Sequence, residues 1–339
     1  FRGSPPPRAP ALSPRHIRRL WERQSSTSKE MEGNMTHDIL FHRIVAAGCP
    51  VLTQEPMRLH TTFKIGGPAD LFASPRDQKQ LCDLLALCRE AQVPVTVVGK
   101  GSDLLVSDEG IRGVVVHIDG GFGGLSLAGP GVIRCGAGVS LAKLCLFALE
   151  NGLTGLEFAW GIPGPAGGAA YMNAGAYGGE MKQVLTRCTH MTPDGRLGAF
   201  AGEELALSYR RSAYTGSDRI ITSLELALAP GDKEQIRARM DDYLSRRKQK
   251  QPLEYPSAGS VFKRPAGYFA GGLIEQCGLK GYRIGDAMVS EKHAGFIINA
   301  GQASCRDVLQ LIAHIQHTVQ QECGVSLECE VKHIGEEIG

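Results

Sequence analysis

Apolar residues recur at helical spacing along much of the chain. Leu81, Leu84, Leu85 and Cys88 share one face of a helix expected over about Asp77–Ala91. Leu40, Phe41, Ile44 and Val45 do the same over Asp38–Cys49, where Gly48 and Pro50 are stop signals. Val308, Leu311, Ile312, Ile315 and Val319 predict a strongly amphipathic helix near the C-terminus. Further helices are expected over Leu141–Asn151, over the charged segment Asp232–Gln251 and near Ala270–Cys277; Gly152 stops the first and Pro252 ends the second. Shorter apolar runs predict strands at Val93–Val98, Arg112–Ile118, Val132–Gly138, Val184–Met191, Arg219–Leu228 and Leu327–Ile334. Thr61–Ala73 reads as a strand, a glycine turn and a second strand, and Gly281–Ile298 as strands and turns. Pro193-Asp194-Gly195 is a hairpin signal. Alternation of this kind belongs to an α/β or α+β chain, and the charged helix is its expected connection to a second domain.

Two glycine-rich stretches interrupt the pattern. The run Gly161–Gly179 holds seven glycines, with Pro163 and Pro165 ruling out one continuous helix. Ala169, Ala170, Tyr171, Met172 and Ala176 set it apart from a flexible linker, which favours Ser, Thr and charge. Glycine at this density suits backbone that takes positive φ or lies close to a flat or phosphorylated ligand. Gly99–Leu105 follows an expected strand and is a phosphate-nest candidate. It is not a dinucleotide fingerprint, since leucine stands at 104 where the third glycine belongs and no helix follows directly.

Composition narrows the classes. A length of 339 residues favours two domains, and 42% hydrophobic residues suit a soluble enzyme with a sizeable core. A net charge of +2 without a basic stripe argues against nucleic acid, and no apolar run approaches the ~20 residues of a membrane span. Ten cysteines without a C-x-x-C pair read as buried reduced thiols of a cytoplasmic protein, with no metal site. Cys323 and Cys329 bracket a helix-to-strand turn and could pair if oxidised. Residues 1–35, rich in Pro, Arg and Ser, are expected to be a disordered or non-native extension without a signal peptide.

From Thr61 to Gly335 the chain resembles the UDP-N-acetylenolpyruvoylglucosamine reductases, the MurB family of peptidoglycan synthesis. Seven ordered segments carry the likeness: TTFKIGGPADLF, GKGSDLLVSDEGIRGVVV, GLEFAWGIPGPAGGAAYMNAGAYGGE, LSYRRSAY, PSAGSVFKRP, GLKGYRIGDAMVSEKHAGFIIN and LECEVKHIG. The compact C-terminal spacing looks like the shorter type II branch. The resemblance implies an α+β fold, with a two-subdomain FAD-binding domain of the vanillyl-alcohol-oxidase (PCMH) type and a C-terminal α+β substrate domain. The expected boundaries are 36–231, split near 118, and 232–339. It also implies non-covalent FAD, NADPH as hydride donor, and a small nucleotide-sugar substrate taken by a monomer.

Roles carried over from the resemblance fall on named positions. Gly99, Lys100, Gly101, Ser102, Asp103 and Leu104 would wrap the pyrophosphate. Gly161, Ile162, Pro163, Gly164, Gly167 and Gly168, with Asn173, Ala174, Gly175, Ala176 and Tyr177, would lie along the cofactor. Arg210 is the implied carboxylate clamp, Ser260 the proton donor and Glu330 the acidic partner polarising an enolate; Glu328 is the neighbour most easily confused with Glu330. Lys263, Tyr282, His293 and Lys332 are implied substrate contacts. The chain departs from the family where Lys100 replaces glycine, Asp103 asparagine, Arg264 asparagine and Gly272 lysine, and where Trp160 stands for a small residue. These departures keep two alternatives open: a flavoprotein of the same fold with another substrate, and a non-catalytic nucleotide-binding relative.

Overall fold

A computed structural model describes residues 37–336, so the expected extension 1–35 lies outside the described residues. Helix α1 covers 37–46 and is followed by β1 (Val51–Pro56), β2 (Pro68–Ala73), α2 (Gln78–Glu90), β3 (Val95–Val98), β4 (Leu104–Val106) and β5 (Ile111–His117). The Asp77 carboxylate caps α2 by accepting from the Gln80 N–H, and the expected face of Leu81, Leu84, Leu85 and Cys88 is the buried one. Strands β1, β2, β5 and β3 form a sheet in that order, antiparallel between β1 and β2 and parallel elsewhere. β1 was not expected from the pattern. It is an edge strand with Leu52 outward at 52% exposure, and an edge without alternating burial leaves no period to read.

The first strand expected in Thr61–Ala73 is instead a turn. Phe63 and Ile65 are both buried, which imitates a strand's period of two, but Lys64 between them sits at φ 59. The Thr61 hydroxyl donates to the Ile65 carbonyl at 3.0 Å and closes the turn.

A second sheet begins with β6 (Leu125–Gly129) and β7 (Val132–Gly136), then α3 (Leu141–Glu150) and β8 (Leu153–Thr154). Within the glycine run, Ala166–Tyr171 winds into a short helix, α4, followed by the small hairpin β9 (Gly175–Ala176) and β10 (Gly179–Glu180). Next come β11 (Leu185–Met191), β12 (Leu197–Ala201), β13 (Ile220–Ala227) and β14 (Ala229–Pro230). The order β12-β11-β13-β7-β6 is antiparallel throughout, and the expected hairpin at 193–195 joins β11 to β12. The first of these sheets ends its last strand at His117 and the second begins at Leu125.

Helix α5 (Lys233–Lys250) behaves differently from a link between domains. It buries Ile236 and Met240 in the same apolar core as α2, α3 and the second sheet, so the change of core falls at its end, near residue 251. Beyond it lie β15 (Ser257–Ser260), α6 (Ala270–Gln276), β16 (Arg283–Ile284), β17 (Ala287–Val289) and β18 (Phe296–Asn299), forming a sheet ordered β15-β18-β17-β16. Helix α7 (Cys305–Cys323) covers it, with a Ser304–Asp307 capping box at its start and Gly324 at φ 69 at its end.

Of the expected strand Leu327–Ile334 only β19 (Lys332–Ile334) is a ladder strand, and it pairs in parallel with β4 of the first unit. The second core accordingly includes Phe63, Ile65 and Leu105 from the N-terminal half. All ten cysteines are free. Cys323 lies with its Sγ 3.6 Å from that of Cys277 on α6, whereas Cys329, its expected partner, is 3.9 Å from the Gln316 amide. Among the described residues there is no cluster of metal-ligating side chains and no helix long and apolar enough to cross a membrane.

Candidate active site

The two glycine stretches meet across a cleft of about 730 Å³ between the first sheet and α4, within the range of small-molecule sites. A Cβ at Gly99 would stand 2.6 Å from the Pro165 ring, and the Ser102 hydroxyl donates to the Pro163 carbonyl at 2.8 Å. Gly101 turns at φ 61 with the His60 carbonyl oxygen 2.3 Å from where a Cβ would be, so no side chain fits there. Among the described residues, the N–H groups of Lys100, Gly101, Ser102 and Asp103 donate to no backbone carbonyl. Four successive free donors on a tight loop make an anion nest.

Not every glycine of the long run faces this space. Gly175 answers to packing, since a Cβ there would lie 2.6 Å from the Gly179 carbonyl oxygen. Ile162, Pro163, Gly164, Gly167, Gly168 and Ala174 line the cleft; Gly161, Asn173, Gly175, Ala176 and Tyr177 stand back from it. Asn173, fully buried, donates from its amide to the Ser208 carbonyl and to Glu180, both at 3.0 Å, and accepts from the Lys182 N–H at 2.8 Å. It braces the turn that carries Arg210. Tyr177 stacks on Tyr243 of α5, with centroids 4.7 Å apart, and Arg247 of the same helix donates to the Gly161 carbonyl at 2.5 Å.

Three distant segments converge on the far side of the nest. Arg210 sits at φ 54 in a turn closed by mutual backbone bonds between Ser208 and Arg211 at 3.1 Å. Its Nε donates to Glu330 Oε1 at 2.5 Å, with the two side chains 22% and 10% exposed. Glu330 is held by its own N–H donating to the Val261 carbonyl at 2.7 Å, next to Ser260 at the end of β15. Lys332 donates from its N–H to the Asp103 carbonyl at 2.9 Å, and its ammonium stands over the Tyr171 ring at 3.9 Å. Glu328 turns away, 73% exposed and paired with Lys263. Of the two glutamates, Glu330 is the one that faces Arg210.

Electrostatics follow from this burial. Burial raises the Glu330 carboxyl above the ordinary glutamate range, against the pull of Arg210 and Lys263. Burial pushes Asp103 up to about 7, with Lys332 and Arg210 opposing and Glu330 adding to the rise. His293 is a structural histidine in this arrangement: its Nδ1 accepts from the Gly295 N–H at 3.1 Å, and burial lowers its pKa. Tyr282 stacks on His314 of α7 at 4.3 Å, and neither Tyr282 nor His293 lines the cleft. Arg219 does line it, at the start of β13 with its guanidinium 5.4 Å from the Phe200 ring. Sequence reasoning missed it, because one arginine at a strand's entrance carries no pattern.

Known proteins resemble the chain along most of its length. A family model described as the UDP-N-acetylenolpyruvoylglucosamine reductase C-terminal domain matches residues 251–334, and an FAD binding domain model matches 69–200. The chain is 49% identical over 297 residues to the UDP-N-acetylenolpyruvoylglucosamine reductase of Agathobacter rectalis, covering 84% of this chain and 94% of that one. A reductase of the same name from Syntrophomonas wolfei is 49% identical over 283 residues, with 84% and 94% covered. The crystal structure of the Thermus caldophilus UDP-N-acetylenolpyruvylglucosamine reductase superposes with a TM-score of 0.72 at 38% identity, over 84% of this chain and 98% of that chain.

Proposed function

The chain belongs to the UDP-N-acetylenolpyruvoylglucosamine reductase family, and from that premise we propose that Arg210, Ser260 and Glu330 carry its chemistry. The protein is an FAD-dependent oxidoreductase that reduces UDP-N-acetylenolpyruvoylglucosamine in peptidoglycan synthesis. Its cleft fits the cofactor: the unpaired N–H groups of Lys100–Asp103 match a pyrophosphate, and the volume suits a flavin dinucleotide. FAD held there would supply the hydride chemistry between NADPH and the enolpyruvyl double bond.

The protein's own part is positional and electrostatic. Hydride addition to the vinyl carbon leaves negative charge on the carbon beside the carboxylate. Arg210 faces that carboxylate as a planar donor fork. Glu330, its pKa raised by burial against the pull of Arg210, is the acid placed beside that fork to act on the enolate oxygen. Ser260 Oγ supplies the proton to the carbon, and Lys332 and Lys263 bear on the diphosphate. The observation that carries this reading is the 2.5 Å contact of Arg210 with Glu330, which joins two distant segments beside the nest.

The test separates the two half-reactions. Ser260→Ala should leave reduction of the yellow protein by NADPH near native while its reoxidation by the enolpyruvyl substrate is lost. Equal loss in both halves would reassign Ser260. A colourless protein without substrate-dependent NADPH oxidation would sink the whole reading.

A further inference from the structure

The cofactor loop places a carboxyl group beside the site of an anion. Asp103 follows Gly101 and Ser102 in the nest, lines the cleft and is half-buried. Its backbone cannot swing away easily, because its carbonyl accepts from the Lys332 N–H at 2.9 Å at the start of the β4–β19 ladder. Charged groups face it from three other places: Lys332 on β19, Glu330 just before it, and Arg210 on the 208–211 turn. Lys100, on the same loop, is exposed. The neighbouring histidines are His60, paired with Glu55 at 2.7 Å, and His117 at the end of β5 beside Gly99.

We propose that Asp103 must carry a proton for the cleft to hold FAD, so that cofactor binding takes up one proton at this carboxyl. The inference rests on the reading of the cleft as the FAD site. An ionised carboxylate accepts hydrogen bonds only and repels a diphosphate at the adjacent N–H groups, whereas the neutral acid can donate to a phosphate oxygen. Arg210 and Glu330 already compensate each other at 2.5 Å, which leaves Lys332 as the nearby cation to offset an ionised Asp103. Burial holds the carboxyl at about 7, inside the range where a proton can be exchanged for cofactor. A bound diphosphate raises it further. The sign is then fixed: affinity is flat below about pH 7 and falls about tenfold per pH unit above it, until the bound-state value is reached.

Dilution of the holoprotein across about pH 6 to pH 9, with FAD release read by flavin fluorescence, tests this. The native protein should show the break near pH 7. Asp103→Asn, with a native circular dichroism spectrum, should show none and hold FAD at least about tenfold tighter near pH 8.5. Calorimetric titration in two buffers of different ionisation enthalpy should record about one proton taken up by the native protein and none by the variant near pH 8. A common pH profile for both proteins, or native affinity that rises with pH, overturns the proposal and leaves the cofactor reading standing. Absence of FAD binding in both proteins at every pH overturns that reading and this proposal together.

Discussion

Arg210 adopts a left-handed backbone that costs an L-residue roughly 1–2 kcal/mol, and the Ser208–Arg211 bonds and the Asn173 amide maintain it. That conformation aims the guanidinium at Glu330. Arg210→Lys keeps the charge and loses the fork. Stopped-flow traces should show reduction by NADPH near native and reoxidation by substrate slowed on the order of 10²–10³. The three residues proposed for the chemistry were named from their motifs, and the structure brings Arg210 and Glu330 into contact. Motif register alone selected Glu330 over Glu328, since both fall on one face of an alternating segment; the bond to Val261 and the outward turn of Glu328 are what separate them in space. Asn173 was legible as part of the cofactor run, but its work as a brace depends on a carbonyl 35 residues away.

Elements with a buried face were legible and elements without one were not. The stripe of α2 predicted a helix whose ends moved by one residue, and the stripe of α7 is its buried face, with caps at Asp77 and Ser304 opening the two. β1 and β4 escaped notice because an exposed edge and a three-residue strand leave too short a pattern. β19 matters beyond its length: its first N–H ties Lys332 to the cofactor loop. Lys332→Pro removes that donor. The variant should lose FAD on gel filtration while keeping most of its helical circular dichroism.

At the scale of the whole molecule, the division into units followed packing rather than charge. Helix α5 reads as a polar connector because it buries so little, yet Met240 is 1% exposed inside the first core. Met240→Ala should cost about 2–5 kcal/mol on denaturant unfolding, with substrate affinity little changed. The expected boundary at 232 failed for this reason, since composition reports what a helix shows to water and not the few side chains it hides.

The parallel pairing of β4 with β19 has a consequence for how the protein is made. Strand β4 emerges from the ribosome more than two hundred residues before its partner. The two can join only by closing a loop of more than two hundred residues, the slow kind of contact in folding. Until then Leu105 and the turn holding Phe63 and Ile65 lack their apolar partners. Flavin capture therefore waits for residue 332: a nascent polypeptide stalled before it displays the glycine nest without its brace.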